Sequence, residues 1–271
     1  MAKIILSTDY SDNALRACAY ALKMFGPAGH EYRLTHAYIS TDEGFSDWPT
    51  VGTELYSLAT IGMAEWSKRL EELPEAIGAK LVKDVVYGPL PAMLNEVAKE
   101  HAADLIVMGT QGASGSGILG SNAAAMVKHS HVPVLVVPKG SMDRSVKRIL
   151  FADDGQGVDL EAMRMLVDIA SRTRAEVILA HVLEDPGETP REKIVAVYGE
   201  LFADIPHRFV STTGEDVAAA LDLLAEKEQA DMMAVMHRHV GFIDSLFHVS
   251  TAKKLALHGH MPLLVLQALE H

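Results

Sequence analysis

Apolar positions along this chain follow two alternating rhythms. Short runs, IILST from Ile4, YRLTHAY from Tyr32, LVKDVVY from Leu81, DLIVMG from Asp104 and PVLVVP from Pro133, are rich in β-branched and other apolar residues. Between them lie longer stretches, such as ALRACAYALKMF, AMLNEVAKEHA and AAAMVKHS, whose apolar residues recur at three- and four-residue steps. The first rhythm predicts strands and the second predicts helices. Apolar strands joined by helical crossovers predict a parallel sheet covered on both faces. The stretch 41–75 carries Trp48, Pro49 and Gly52 and then the helical pattern MAEWSKRLEEL.

The pattern is written twice. KIILSTD, ending at Asp9, has a counterpart in KRILFADD, where Asp153 is read as the matching acid. LTHAYIS around His36 matches LAHVLED around His181, and VVYGPLPAML at Gly88 matches STTGEDVAAAL at Gly214. ADLIVMG from Ala103 matches ADMMAVMH from Ala230, and VPVLVVP from Val132 matches MPLLVLQ from Met261. Blocks recurring in one order mark a tandem duplication. The join is placed in PKGSMDRS (138–145), giving domains at 1–140 and 145–268. Each is expected to be a doubly wound α/β unit with a five-stranded, mainly parallel sheet. The slot after the second strand is shorter in the second copy, EDPGETPREKIVAVYGELF.

Composition narrows the function. The 271 residues are 49% hydrophobic and 22% charged with a net charge of −12, which disfavours a broad nucleic-acid surface. No apolar run approaches the roughly 20 residues needed to span a bilayer, and MAKIILSTDYSD lacks a signal-peptide core. A cytoplasmic protein without a membrane partner is expected. The closing Leu269-Glu270-His271 resembles the start of an expression tag and is left out of the fold reading. The single cysteine, Cys18, excludes an intrachain disulfide and lies in a helical pattern that reads as buried.

Candidate chemistry concentrates in residues 109–121, GTQGASGSGILGS, five of which are glycine. A doubly wound sheet binds ligands beyond the carboxyl ends of its strands, where strand order reverses. Asp9, Ala37 with Tyr38, and Gly109 fall at those ends. Glycines admit close approach of backbone N–H groups to an anion, and a following helix start adds partial positive charge. Ser121 is placed to be that helix's N-cap and to offer a hydroxyl to phosphate. The stretch also reads as a plain connector. It is neither a P-loop, lacking GK[ST], nor a first-strand G-x-G-x-x-G. The thirteen histidines, including His237, His239, His248, His258 and His260, read as surface or loop residues rather than metal ligands. Ser7, Asp9 and His36 hold the residue types of a nucleophile triad without its G-x-S-x-G elbow, so no catalytic residue is assigned.

TDYSDNA, LTHAY, VYGPLPAML, ADLIVMGTQG and GSNAAAMVKHSHVPVLVVP together resemble the universal stress protein family over nearly all of both halves. That family has a five-stranded α/β fold and divides into ATP-binding and non-binding types. Binders carry Gly, two residues, Gly, nine residues, then Gly-Ser or Gly-Thr. The resemblance implies that Asp9 and Ala37 hold adenosine, and that Gly109, Gly112, Gly120 and Ser121 hold ribose and phosphates of ATP, or of ADP or AMP, with Mg as a possible companion. Only seven residues, ASGSGIL, separate Gly112 from Gly120. In the second half Met236, His239 and Val249 stand at the three glycine positions, before Ser250. That half is expected not to bind ATP in the family's manner. Relatives dimerise through their last strands, which implies an intrachain pseudo-dimer here, with a further homodimer as a possible assembly. The implied function is a stress-response regulator that binds an adenine nucleotide in its first half and acts through conformation or protein partners. The alternatives are a slow ATP hydrolase and a scaffold or apolar-ligand binder using the second-half loop.

Overall fold

The computed structural model describes residues 1–39, 48–110, 120–141, 145–153, 155, 157–183, 192–214, 216–238 and 261–268. They fall into two compact units, Met1–Met142 and Asp143–His271. The first runs β1 (Lys3–Ser7), α1 (Asp12–Phe25), β2 (Glu31–Tyr38), α2 (Trp48–Glu71), β3 (Leu81–Tyr87), α3 (Leu90–His101), β4 (Leu105–Gly109), α4 (Ser121–His129) and β5 (Val134–Val137). The second runs β6 (Arg148–Asp153), α5 (Arg164–Thr173), β7 (Glu176–Leu183), α6 (Glu192–Leu201), β8 (His207–Thr213), α7 (Val217–Glu228), β9 (Met232–His237) and β10 (Leu263–Gln267).

Strand order is β3-β2-β1-β4-β5 in the first unit and β8-β7-β6-β9-β10 in the second, each paired in parallel throughout. Two repeated, doubly wound, five-stranded α/β units therefore stand as the pattern predicts. In the first unit the order reverses at β1. Right-handed crossovers then put α1 and α2 on one face and α3 and α4 on the other, and the helices of each pair touch. Both faces being covered, the central strands are buried on both sides: Ile4, Ile5, Leu105, Ile106, Val134 and Leu135 are all buried.

Local chemistry starts and stops the helices. The Ser11 hydroxyl accepts from Ala14 N–H to cap α1, Asp12 opens its first turn, and Gly26 ends it at φ +84°. Ala14, Ala17, Cys18, Ala21, Leu22 and Phe25 form its buried face. Cys18 is fully buried and burial pushes its thiol up, so it packs as a small apolar residue. Pro49 falls in the first turn of α2, where its missing N–H costs no helical bond.

One helix carries a misplaced charge. Partial burial pushes Asp222 in α7 up to about 7, and Glu226 one turn on adds to the rise. A folded-state value above the unfolded one means that its contribution is fully present below about pH 4 and is lost as pH rises through 7. Asp222→Asn is therefore expected to add about 1 kcal/mol at pH 8, a figure discounted for partial exposure, and nothing near pH 4. Urea unfolding at the two pH values checks this; an equal gain at both would refute it.

Candidate functional site

The two units share a starting clamp that fixes their equivalence. Lys3 N–H donates to Asp104 Oδ2 at 2.7 Å while Asp104 N–H donates to the Lys3 carbonyl at 2.8 Å. Arg148 and Asp231 repeat it at 3.1 and 2.9 Å. With Lys3 opposite Glu31 and Arg148 opposite Glu176, Thr8 corresponds to Asp153 and Asp9 to Asp154. The matching of Asp9 with Asp153 is thus corrected by one residue, and Asp154 lies outside the described residues. A ring contact confirms the register: His36 Nδ1 donates to the Thr8 carbonyl at 2.8 Å, and His181 Nδ1 stands 3.2 Å from the Asp153 carbonyl.

In the first unit the switch point lies at the carboxyl ends of β1 and β4. Ile4, Ile5 and Leu6 pair with Leu105, Ile106 and Val107, an offset that brings Thr8 level with Gly109. Asp9 stands one residue beyond, where its Oδ1 accepts from Ser11 N–H at 3.1 Å and orders the turn into α1. Ala37 is set by strand alternation. Glu31 and Thr35 turn their backbone bonds toward β1, through Glu31 N–H to Ala2 and Thr8 N–H to Thr35, whereas the Tyr38 carbonyl accepts from Gly88 N–H on the β3 side. Ala37 shares the parity of Thr35, so its N–H and carbonyl face the side on which β1 has ended.

Gly109 and Gly120 have distinct reasons. A Cβ on Gly109 would stand 2.6 Å from Asn13 Nδ2 and 3.1 Å from its Cγ, so the first turn of α1 packs directly on the end of β4. Gly120 N–H donates to the Thr110 carbonyl at 2.6 Å, while Thr110 N–H donates to Val137 at 3.1 Å. The chain thus leaves β4 at the buried Thr110 and returns to the same point at Gly120, where α4 starts. Gly120 is the N-cap of α4, its carbonyl accepting from Ala124 N–H at 3.0 Å. The expectation that Ser121 caps is corrected: Ser121 is the first helical residue and exposed, because Gly120 already supplies the extended cap conformation. The first N–H groups of α4 lack intrahelical acceptors and carry the positive end of its dipole. Gly112 lies outside the described residues.

An aromatic group absent from the sequence-based candidates borders this crevice. Tyr10 adopts φ +66° and stacks on His36 at 4.1 Å between centroids and 24° between planes. Its hydroxyl donates to the Ala59 carbonyl of α2 at 2.6 Å, and burial pushes that hydroxyl up to about 12. Burial likewise pushes His36 down, against the opposing pull of the Thr8 carbonyl and Asp9. Among the described residues no cluster of three His, Cys, Asp or Glu gathers to hold a metal, and no helix is long and apolar enough to cross a membrane.

The second unit is built differently at the same place. Met236, 2% exposed, occupies the position of Gly109. The acid replacing Thr8, Asp153, accepts from the buried Tyr198 hydroxyl at 2.7 Å and lies 3.3 Å from His181 Nδ1. Beside them is a cavity of about 10 Å³, room for one water, walled by Leu179, Val195 and Phe209. His239, Val249 and Ser250 lie outside the described residues, as do His248, His258 and His260.

Fold and site together define a duplicated doubly wound α/β protein, with a glycine-built switch point in one copy and a side-chain-filled counterpart in the other. The chain belongs to the universal stress protein family, whose family model matches residues 1–138 and again 145–267. A universal stress protein of Methanocaldococcus jannaschii is 34% identical over 141 residues, 51% of this chain and 82% of that protein. One of Mycobacterium tuberculosis is 25% identical over 120 residues, 44% of this chain and 38% of that protein. The crystal structure of a universal stress protein from Archaeoglobus fulgidus superposes with a TM-score of 0.70 at 19% identity, covering 98% of this chain and 96% of that one, which shows the shared fold.

Proposed function

We propose that the first unit binds an adenine nucleotide, ATP foremost, between Asp9, Ala37, Gly109, Gly112, Gly120 and Ser121. The observation that carries this reading is the return of the chain at Gly120 to Thr110, which sets the α4 N-terminus at the carboxyl end of β4, the strand paired with the one that leads into Asp9. Phosphate groups suit that helix start, with the Ser121 hydroxyl as an added donor. The Asp9 carboxylate is an acceptor for ribose hydroxyls, and the Ala37 backbone offers one donor and one acceptor to a base edge. Mg²⁺ would be held by the phosphates. The second unit, with Met236 and a Tyr198-bound acid, does not share the activity. The protein acts in the cytoplasm as a stress-response regulator, alone or as a homodimer, through nucleotide-dependent conformation of the 109–121 segment and the protein partners it selects.

Two measurements test this. Protein purified without added nucleotide is denatured and its soluble fraction chromatographed for ATP, ADP and AMP; calorimetry then compares wild type with Asp9→Ala. Retained or titratable nucleotide is expected, with affinity at least tenfold weaker in Asp9→Ala, about 1.4 kcal/mol. No nucleotide in either assay would sink the reading. Phosphate release abolished in Gly112→Val would replace regulation by slow hydrolysis.

A further inference from the structure

We propose that Tyr10 is the positioning residue of the first-unit crevice, holding the Asp9 turn against α2 so that Asp9 meets the nucleotide in one fixed orientation. This rests on the nucleotide reading above and adds to it a residue that the glycine motif does not contain.

The argument starts from backbone geometry. At φ +66° Tyr10 occupies the left-handed region, which is costly for a residue with a bulky side chain and uncommon outside glycine, asparagine and aspartate. The duplicate provides the control. With Thr8 equivalent to Asp153, Tyr10 is equivalent to Gly155, which adopts φ +69° and packs against His181, where a Cβ would stand 2.9 Å from Cε1. Both units place a left-handed residue against the equivalent histidine. The unit that lost the glycine motif uses the residue the turn prefers, and the unit that kept the motif places a tyrosine there. Strain retained at a crevice where an unstrained residue is available points to a role for the side chain.

That side chain is held on every side. The ring stacks on His36, its hydroxyl donates to Ala59 in α2, and Trp66 stands 6.4 Å away. Gly62, one turn beyond Ala59, makes room for it: a Cβ there would lie 2.9 Å from Tyr10 Cε2. The backbone is held as firmly, since Tyr10 N–H donates to Thr8 Oγ1 at 2.9 Å. Asp9 is thereby flanked by Thr8, whose carbonyl anchors His36, and by Tyr10, anchored on α2, while its Oδ1 accepts from Ser11 N–H. Removing the ring takes away the tie at Ala59 and leaves those from Trp66 Nε1 to the Ser11 carbonyl and from Arg69 to Asp12, without touching Asp9, Ala37 or α4.

The test uses the full chain and three variants. Tyr10→Gly installs what the second unit has, Tyr10→Phe keeps the ring without the hydroxyl, and Gly62→Ala crowds the ring from α2 while leaving the strand untouched. ATP affinity is read by calorimetry, and amide hydrogen exchange is read at Ser11 and across Ala59–Gly62. Tyr10→Gly is expected to weaken ATP at least tenfold and to speed Ser11 exchange by a similar factor, with the thermal midpoint within a few degrees of wild type. Tyr10→Phe is expected to stay within threefold of wild type, and Gly62→Ala to fall between. A purely packing role predicts a lowered midpoint with unchanged affinity of the folded protein, and that result overturns the proposal. If wild type binds no nucleotide, the nucleotide reading fails separately, and Ser11 exchange decides alone: faster exchange in Tyr10→Gly upholds the anchoring of Asp9, and unchanged exchange refutes it. Should Tyr10→Gly fold poorly, Gly62→Ala carries the same two readouts.

Discussion

Gly109→Val is expected to lower the unfolding free energy of the first unit by about 3 kcal/mol, at the upper end of the overpacking range. The family motif offers one reason for glycine at this position, close approach to a ligand; the packing offers another that holds with no ligand bound. A Cβ would meet Asn13 at 2.6 and 3.1 Å and the Asn13 backbone carbon at 3.4 Å, so relief requires either a new rotamer for a half-buried amide or a shift of the α1 start. The duplicate shows how the site changes when glycine is lost. Asp159 Oδ1 accepts from Ala162 N–H in the turn before α5, the same three-residue step by which the Ser11 hydroxyl accepts from Ala14 N–H, which sets Glu161 at the place of Asn13. Glu161 is 48% exposed and paired with Arg164, and Met236 is buried. Asn13→Ala in the Gly109→Val background is therefore expected to recover more than half of the loss, giving a coupling above 1 kcal/mol in a double-mutant cycle followed by urea unfolding. Additive effects of the two changes would refute the packing account. Because α1 follows directly from the Asp9 turn, the same variant is expected to lose nucleotide affinity, and recovery of stability without recovery of affinity separates the two roles of Gly109.

Much of this was open to reading in the sequence, for identifiable physical reasons. Buried parallel strands need near-continuous apolar residues and crossover helices need a three-to-four period, so IILST, LIVMG and VLVV and the helices between them announce themselves. Duplication then follows from order alone. What failed was the fine register. Two consecutive acids, Asp153 and Asp154, offer equal matches to Asp9, and it takes the hydrogen-bonded clamps Lys3–Asp104 and Arg148–Asp231, with the histidine contacts, to decide between them. The cap of α4 slipped by one residue for a related reason: serine is the stronger cap by propensity, but Gly120 is the residue tied back to Thr110. Tyr10 and Asn13 were invisible because their meaning lies in contacts across the fold, with α2 49 residues on and with the end of β4. A positive φ at tyrosine has no sequence signature beyond the glycine standing at the same register of the other copy, and that comparison needs the corrected register first.

The corrected register also sets the second large effect. Asp153 stands where the first unit has Thr8, so the duplicate holds a carboxyl group in a position otherwise served by a hydroxyl. The site has been rebuilt to hold it: Tyr198 is 1% exposed, its hydroxyl donates to Oδ1 at 2.7 Å, and His181 Nδ1 lies 3.3 Å from Oδ2. Tyr198→Phe removes one hydroxyl and leaves the ring contacts with Phe151, Phe202 and Phe209 in place. The cost is thus the lost donor to a mostly buried acid, about 2 kcal/mol, since hydrogen bonds to charged groups exceed neutral ones. Asp153→Thr in the Tyr198→Phe background restores the first unit's residue at this register and removes the group that needed the donor. The double variant is expected to recover at least half the loss in urea unfolding at neutral pH. A cost below about 0.5 kcal/mol for Tyr198→Phe would mean that Asp153 satisfies itself through His181 and solvent alone. Either way the position explains why an acid near the end of the second unit's first strand is no sign of a nucleotide site: its Oδ1 is spent on a tyrosine of its own domain, whereas in the first unit Asp9 Oδ1 is spent on the turn that leads into α1.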